Sequence, residues 1–221
     1  MLPDLRLYQL ISPSLPVGGF TYSQGLEWAV EAHWVHDKNT LEEWLNGLLK
    51  QSVATLELPI LLRLQQAFER GDKLTIARWL SYLLASRETS ELRKEERQRG
   101  AALAVLLPNL QVPVDAALKP WVVSSQLAGM ALAAVYWQIP AQQLLAGYTW
   151  SWLENSVTAG VKLIPLGQTH GQQILMRLAQ DIPTAVASAC DLQDDDIGSC
   201  TPAQAIASSN HESQYTRLFR S

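Results

Sequence analysis

Cysteine is nearly missing from this chain of 221 residues: there are two, Cys190 and Cys200. They form no CxxC motif, which excludes a disulfide framework and a standard thiol metal site. Charge is also scarce. Charged residues make up 17%, against about 25% in ordinary domains, and the net charge is −4. A broad nucleic-acid-binding surface is thereby excluded. No run of about 18 apolar residues is present, so no membrane span is expected. The longest candidate, around Leu127 to Val135, is short and contains Gly129. The N-terminus, Met1 to Arg6, lacks the basic and apolar regions of a secretory signal. These absences together lead us to expect a soluble, cytoplasmic chain.

Catalytic templates are missing too. Ser12 to Phe20 carries two prolines and two glycines and reads as a shaped loop. It lacks GxxxxGK(S/T) and follows no strand, so it is neither a phosphate loop nor a dinucleotide fingerprint. There is no GxSxG elbow. No catalytic residue is therefore assigned. His33 and His36 share a helical spacing, but two imidazoles make an incomplete metal site. The stretch Cys190 to Cys200 holds four carboxylates, yet its spacing matches no metal motif. No intrinsic metal or cofactor is expected.

What is present is helical periodicity and tryptophan. Hydrophobic residues make up 48%, enough for a large core, and eight tryptophans can serve as core or as interface anchors. Thr40 to Glu43 reads as a capping box before a stripe at Leu41, Trp44, Leu45, Leu48 and Leu49. Pro59 to Phe68 reads as a further helix. Asp72 is a plausible N-cap for the stripe Ile76, Leu80, Leu83 and Leu84. A long helix is expected from about Lys119 to Trp137, closed by Ile139-Pro140. Pro140 starts another toward Val161, and Leu166 to Leu178 gives one more. Ser23 is placed to cap a helix through Glu27 and Trp28. No alternating β pattern and no repeat appear. The expected fold is all-α: a single compact helical bundle, residues 1–207, with a C-terminal tail, 208–221.

Three segments stand out from this background. From Arg87 to Arg99, nine of thirteen residues are charged. Such a helix is solvent-bridging, salt-bridged or partner-facing, and helical patterning alone favours a solvated face. Between Trp152 and Gln172, Glu154, Asn155 and Lys162 interrupt an apolar helix, either as a buried network or as a functional face. The tail from His211 to Ser221 places Tyr215, Leu218 and Phe219 at i, i+3, i+4, so one helical turn puts them on one face. They form an apolar hook on the chain's own body or a docking element. The polar lead Ser208 to Asn210 suggests that this tail is loose until a partner binds.

These segments also carry a resemblance. Leu7 to Glu27 (LYQLISPSLPVGGFTYSQGLE) resembles the N-terminal signature of the urease accessory protein UreF family. Ser86 to Arg93, Trp152 to Asn155, Lys162 to Gln168, and His211 to the terminal RLFRS resemble its later motifs, in order. The resemblance implies an all-α accessory protein that is not an enzyme. It implies a complex with a UreD/UreH-type scaffold and the GTPase UreG, which inserts nickel into apo-urease. It also implies a homodimer, with nickel handled by the assembled complex. Carried over residue by residue, the partner-binding set is Tyr22, Glu27, Arg87, Glu88, Glu154, Lys162, Gln168, His211, Tyr215, Arg217, Phe219 and Arg220. Tyr22 and Arg217 are expected to pair, and Lys162 and Gln168 to face the GTPase or the metal passage. The competing reading is an unrelated all-α enzyme using a Glu154/Lys162 polar pocket.

Overall fold

The computed structural model describes residues 1–221 and contains helices and loops without strands. The α-helices are α1 (Leu2–Ile11), α2 (Leu26–Glu31), α3 (Lys38–Leu48), α4 (Leu58–Arg70), α5 (Lys73–Ser86), α6 (Ser90–Asn109), α7 (Lys119–Ser124), α8 (Gln126–Tyr136), α9 (Ala141–Leu163), α10 (Gln168–Leu178), α11 (Ile182–Asp191) and α12 (Pro202–His211). Helix α8 lies at the centre because it is apolar on every side: each residue from Leu127 to Ala134 is buried. Its alanines and Gly129 let neighbours approach closely. A Cβ at Gly129 would stand 2.8 Å from a Leu103 methyl of α6. Helices α4 and α6 flank α8, α9 packs on α1, α10 and α11, and α12 lies on α2. No helix is long and apolar enough to cross a membrane.

Several sequence signals act where expected. The Asp72 side chain accepts the Thr75 amide and starts α5. Pro140 stands at the N-terminus of α9. The Ser23 hydroxyl accepts the Glu27 amide, 3.2 Å, at the entry to α2. Two boundaries move. The capping box of α3 begins at Asp37, not Thr40: Asp37 accepts the Thr40 amide at 2.8 Å, and the Thr40 hydroxyl answers the Asp37 amide at 3.0 Å. A carboxylate three residues earlier outcompetes the hydroxyl as acceptor. Between α3 and α4 the chain stays helical but widens to a π-helical segment, Leu49–Glu57. Two of its carbonyls, Gln51 and Thr55, accept amides from Cys200 and Gly198 of the acidic loop, each at 3.1 Å.

The long helix expected from Lys119 to Trp137 is broken at Ser125, which is extended (φ −156°, ψ 137°). Ser125 caps α8 through the Leu127 amide while donating its hydroxyl to Glu96, 2.7 Å away on α6. The break lets α7 and α8 fold around α6 at Gly100, where a Cβ would lie 2.6 Å from the Val122 carbonyl oxygen. The fit is to backbone, so it cannot relax by a side-chain rotation. Gly100→Ala is expected to destabilise by about 1–3 kcal/mol, the cost of overpacking. A thermal melt indistinguishable from the parent chain would contradict this contact.

Candidate functional site

Helix α6 sorts the charges that the sequence crowds together. Glu91, Glu95 and Glu96 are buried, and so is Arg87 just before the helix. Glu88, Lys94 and Arg97 point to solvent. The solvated face expected of this segment is therefore only half of it. Its inward half contributes to two buried clusters.

The first cluster surrounds Arg87. The guanidinium donates to Glu57 Oε1 at 2.7 Å and to Glu96 Oε2 at 2.9 Å. Glu57 also takes the Tyr148 hydroxyl, and Glu96 takes the Ser125 hydroxyl (2.7 Å) and the Gln126 amide (3.0 Å). A fork donor between two acceptors satisfies both acids directionally, which is what a buried charge requires. Burial alone would raise the Glu57 carboxyl, but the Arg87 charge and the Tyr148 hydrogen bond outweigh it and hold Glu57 below the ordinary carboxylate value. A depressed carboxyl contributes stability that is present above its unfolded value and lost as pH falls through the folded one. Glu57→Gln is therefore expected to flatten the loss of melting temperature on acidification below about pH 4.5. An acid limb identical to that of the parent would argue against this ion pair.

Beside it, Glu95 accepts Arg99 (3.1 Å) and the Gln24 side-chain amide (3.1 and 3.2 Å). Gln24 in turn accepts the Trp152 indole N–H at 3.1 Å. Burial dominates at Glu95 and raises its carboxyl despite Arg99 and Arg87.

The second cluster holds the C-terminal segment. His211, at the end of α12, is fully buried. Its Nδ1 lies 2.7 Å from Glu91 Oε2 and its Nε2 lies 3.1 Å from Glu27 Oε2. An ionised carboxylate only accepts, so with both acids ionised the ring donates from both nitrogens as an imidazolium. Glu91 Oε1 takes Arg217 at 3.0 Å. Glu27 takes the amides of Leu218 (2.6 Å) and Phe219 (2.9 Å). In that state two carboxylates, one imidazolium and one guanidinium sum to zero, the condition under which such a group can be kept from water. Beyond the cluster, the Arg220 amide donates to Thr21 O at 2.8 Å, and the Ser23 and Gln24 amides both donate to Ser221 O. The Glu212 carboxylate accepts the Ser90 amide (2.9 Å) and hydroxyl (2.8 Å) at the start of α6. Gly25 makes room for all this: its φ is +87°, and a Cβ there would stand 2.8 Å from the Ser208 amide.

The expected loose tail is thus clasped, and part of it is helix: α12 runs through Ser208 to His211, both fully buried. From Gln214 onward the chain is not helical, so Tyr215, Leu218 and Phe219 do not share a face. Phe219 packs inward, while Tyr215 and Leu218 face solvent. The backbone amides of this segment find carboxylate and carbonyl acceptors on α2 and its approach, and these replace the bonds of a helical turn.

The expected Tyr22–Arg217 pair is not formed. Tyr22 donates to Gln98 Oε1 at 2.7 Å, and Arg217 goes to Glu91. Burial, then the nearby Glu95 charge, raise the Tyr22 phenol, and the Arg220 guanidinium opposes them. Tyr22 and Arg217 do line one groove together. Of the remaining expected residues, Lys162 is exposed, with its Nζ 6.0 Å from the Phe219 ring centroid. Gln168 is exposed at the start of α10, and Glu154 is half-buried. Glu154 and Lys162 stand eight residues apart on α9, about 12 Å along its axis at 1.5 Å per residue, with no bond between them. They do not make the shared polar pocket that an enzyme reading needs. His36 Nδ1 faces the His33 carbonyl at 3.3 Å. No three His, Cys, Asp or Glu side chains gather as a metal site would require.

Sequence reasoning passed over Gln24, Glu57, Ser125 and Tyr148, and read Glu91, Glu95 and Glu96 only as members of a charged run, with Glu95 spaced to pair with Arg99 as it does. Glu57 had a usable signal, since it is the one acid between Val53 and Leu64, in an otherwise mostly apolar run. Glu91 and Glu95, four residues apart, follow one face of α6.

A family model described as UreF matches residues 35–179. The chain is 52% identical over 217 residues to a urease accessory protein UreF of Pseudomonas putida (strain W619), covering 98% of this chain and 97% of that one. It is 53% identical to the Alcanivorax borkumensis protein of the same name over 225 residues, with the same coverage. Against that of Klebsiella pneumoniae (strain 342) it is 48% identical over 217 residues, again covering 98% and 97%. Likeness of this extent over nearly the whole chain, with the ordered motifs, means that this protein belongs to the UreF family of urease accessory proteins.

Proposed function

We propose that the protein is a non-catalytic member of a nickel-insertion complex in the cytoplasm. In this reading it binds a UreD/UreH-type scaffold, recruits or gates the GTPase UreG, and acts as a homodimer on apo-urease. Nickel is cargo of the assembled complex and no cofactor belongs to this chain. One observation carries the reading furthest. The C-terminal segment is fixed by its backbone and by His211 and Arg217, yet it turns Tyr215 and Leu218 outward. Folding leaves these two side chains unused, and aromatic and apolar side chains on a rigid support suit a protein interface. Glu27, Arg87 and His211, carried over as partner contacts, are buried, and Glu27 and His211 hold the C-terminal segment from beneath. Glu88, Lys162, Gln168, Tyr215, Arg217 and Arg220 remain accessible for direct contact.

The test is co-purification with a UreD-type scaffold followed by capture of the GTPase. Lys162→Ala belongs in the same experiment. Its side chain is exposed, and its cation–π contact with the Phe219 ring is worth about 0.5–1 kcal/mol at such a site. Melting temperature is expected to move by no more than a few degrees, while GTPase recruitment or urease activation falls. Full activation by the variant would remove Lys162 from the functional face.

A further inference from the structure

Between the loop from Ser12 to Phe20 and helices α6, α8 and α9 lies a cavity of about 30 Å³. Each of the three helices brings to it a polar group that the protein itself leaves unpaired. From α6 comes Arg99, which donates from Nη1 to Glu95 at 3.1 Å, while its buried Nε finds no acceptor in the protein. From α8 comes Gln126, only 3% exposed. Its backbone amide donates to Glu96 at 3.0 Å, but its side-chain amide bonds no other residue. From α9 come Ser151 and Asn155, whose side chains likewise bond no other residue. Gly19 of the loop lets these groups close up: a Cβ there would stand 3.4 Å from both Arg99 Nη2 and Asn155 Nδ2. The other polar liners are engaged elsewhere, Tyr148 with Glu57, Trp152 with Gln24 and Ser12 with Ser14. Buried polar groups in folded proteins are paired, with protein or with ordered water. Several unpaired ones around one small cavity point to a shared partner.

We propose that this cavity is a hydration site, in which one or two ordered waters bridge Arg99 Nε to the side chains of Gln126, Ser151 and Asn155. A water needs at least about 10–15 Å³ of such space and two to four polar partners, and the cavity offers both. Charge decides against an ion. An anion would sit beside Glu95 and Glu96, the buried acids that Arg99 and the Gln126 backbone amide already serve. A cation would face the Arg99 guanidinium. The guanidinium only donates, whereas amides and hydroxyls donate and accept, so a small neutral molecule that does both completes the set. Ser151 and Asn155 thereby have a reason to stand on a mostly apolar helix. The loop rests on a wet polar floor, and bridging waters are nearly as favourable in enthalpy as direct hydrogen bonds. None of this depends on the function proposed above.

Two experiments on the full chain test the proposal. In a crystal structure that resolves ordered solvent, a water is expected about 2.7–3.2 Å from Arg99 Nε and within reach of the Gln126 side chain. No density there, or a protein acceptor swung onto Arg99 Nε, would overturn the site. An anomalous peak at that position after a bromide soak would overturn it in favour of an anion. The second experiment reads the sign of a thermal shift. In a dry cavity the Gln126 amide is an unsatisfied buried group. Gln126→Met, close in size and helix propensity, would then raise the melting temperature. In a hydrated one the same change loses a bond to water, and the melting temperature should fall by about 1–6 °C. Gln142→Met, exposed on α9, should leave it unchanged. Ser151→Ala adds a coupling test. Gln126 and Ser151 share no bond, yet through common water the double variant should lose less than the two single changes summed. A rise or no change in Gln126→Met, or strict additivity in the double variant, would count against the site.

Discussion

Glu27→Ala is expected to release the C-terminal segment and to lower the melting temperature by about 6–20 °C, from a loss of about 3–5 kcal/mol at 2–4 °C per kcal/mol for a chain of this size. Glu27 is the acceptor for the amides of Leu218 and Phe219 and for one nitrogen of His211. Hydrogen bonds to a charged group contribute about 1.5–3 kcal/mol each, and three sharing one carboxylate do not add in full. Removal also leaves the buried His211 ring with one acid partner in place of two. Trypsin offers an independent reading, because Arg217 and Arg220 become cleavable once the segment detaches. Scaffold capture should fail in the same variant, since Tyr215 and Leu218 lose their support. Glu88→Ala is the control: its side chain is exposed, so its effect should stay within about 0.5 kcal/mol. A Glu27 variant that melts with the parent and resists trypsin equally would show that the segment is held by other means.

Arg87→Met should be at least as damaging. It leaves Glu57 and Glu96 facing one another in the core without their common cation. Breaking a buried pair from one side costs about 3–5 kcal/mol, because the remaining charge is neither paired nor solvated. The pH dependence distinguishes this cause from lost packing. In the parent chain Glu57 is held below its ordinary value, so its contribution is present at neutral pH and lost in acid. Without Arg87, the Tyr148 hydrogen bond is left as the main opposition to burial at Glu57, whose value is expected to rise above that of the unfolded chain. A raised value gives stability that is present at low pH and lost as pH rises through it. The gap between variant and parent should therefore narrow from about pH 8 to about pH 5. A gap independent of pH would mean that Arg87 acts through its volume. Adding Glu57→Gln should recover part of the loss, as it removes one of the two stranded charges.

Local chemistry alone determined much of this protein. The absence of alternation and the recurring i, i+3, i+4 apolar spacing make it all-α, because amphipathic period is set by chain geometry. Asp72 and Pro140 mark helix starts because capping and ring constraints act within a few residues. The family, too, was legible in the ordered motifs. The tertiary structure decided which polar groups meet. Ser125 interrupts a stretch that reads as one helix because Glu96, 29 residues earlier, offers its hydroxyl a buried acceptor. Glu91 and Glu95 turn inward, against the pattern of a solvated face, because His211, Arg217 and Gln24 arrive from distant segments to bond them. The C-terminal segment abandons the helical turn its spacing allows because Glu27, 192 residues before Phe219, accepts its amides. Apolar burial follows from period, since any apolar neighbour will do. A buried charge needs one particular partner at bonding distance, and only the folded chain says which residue that is.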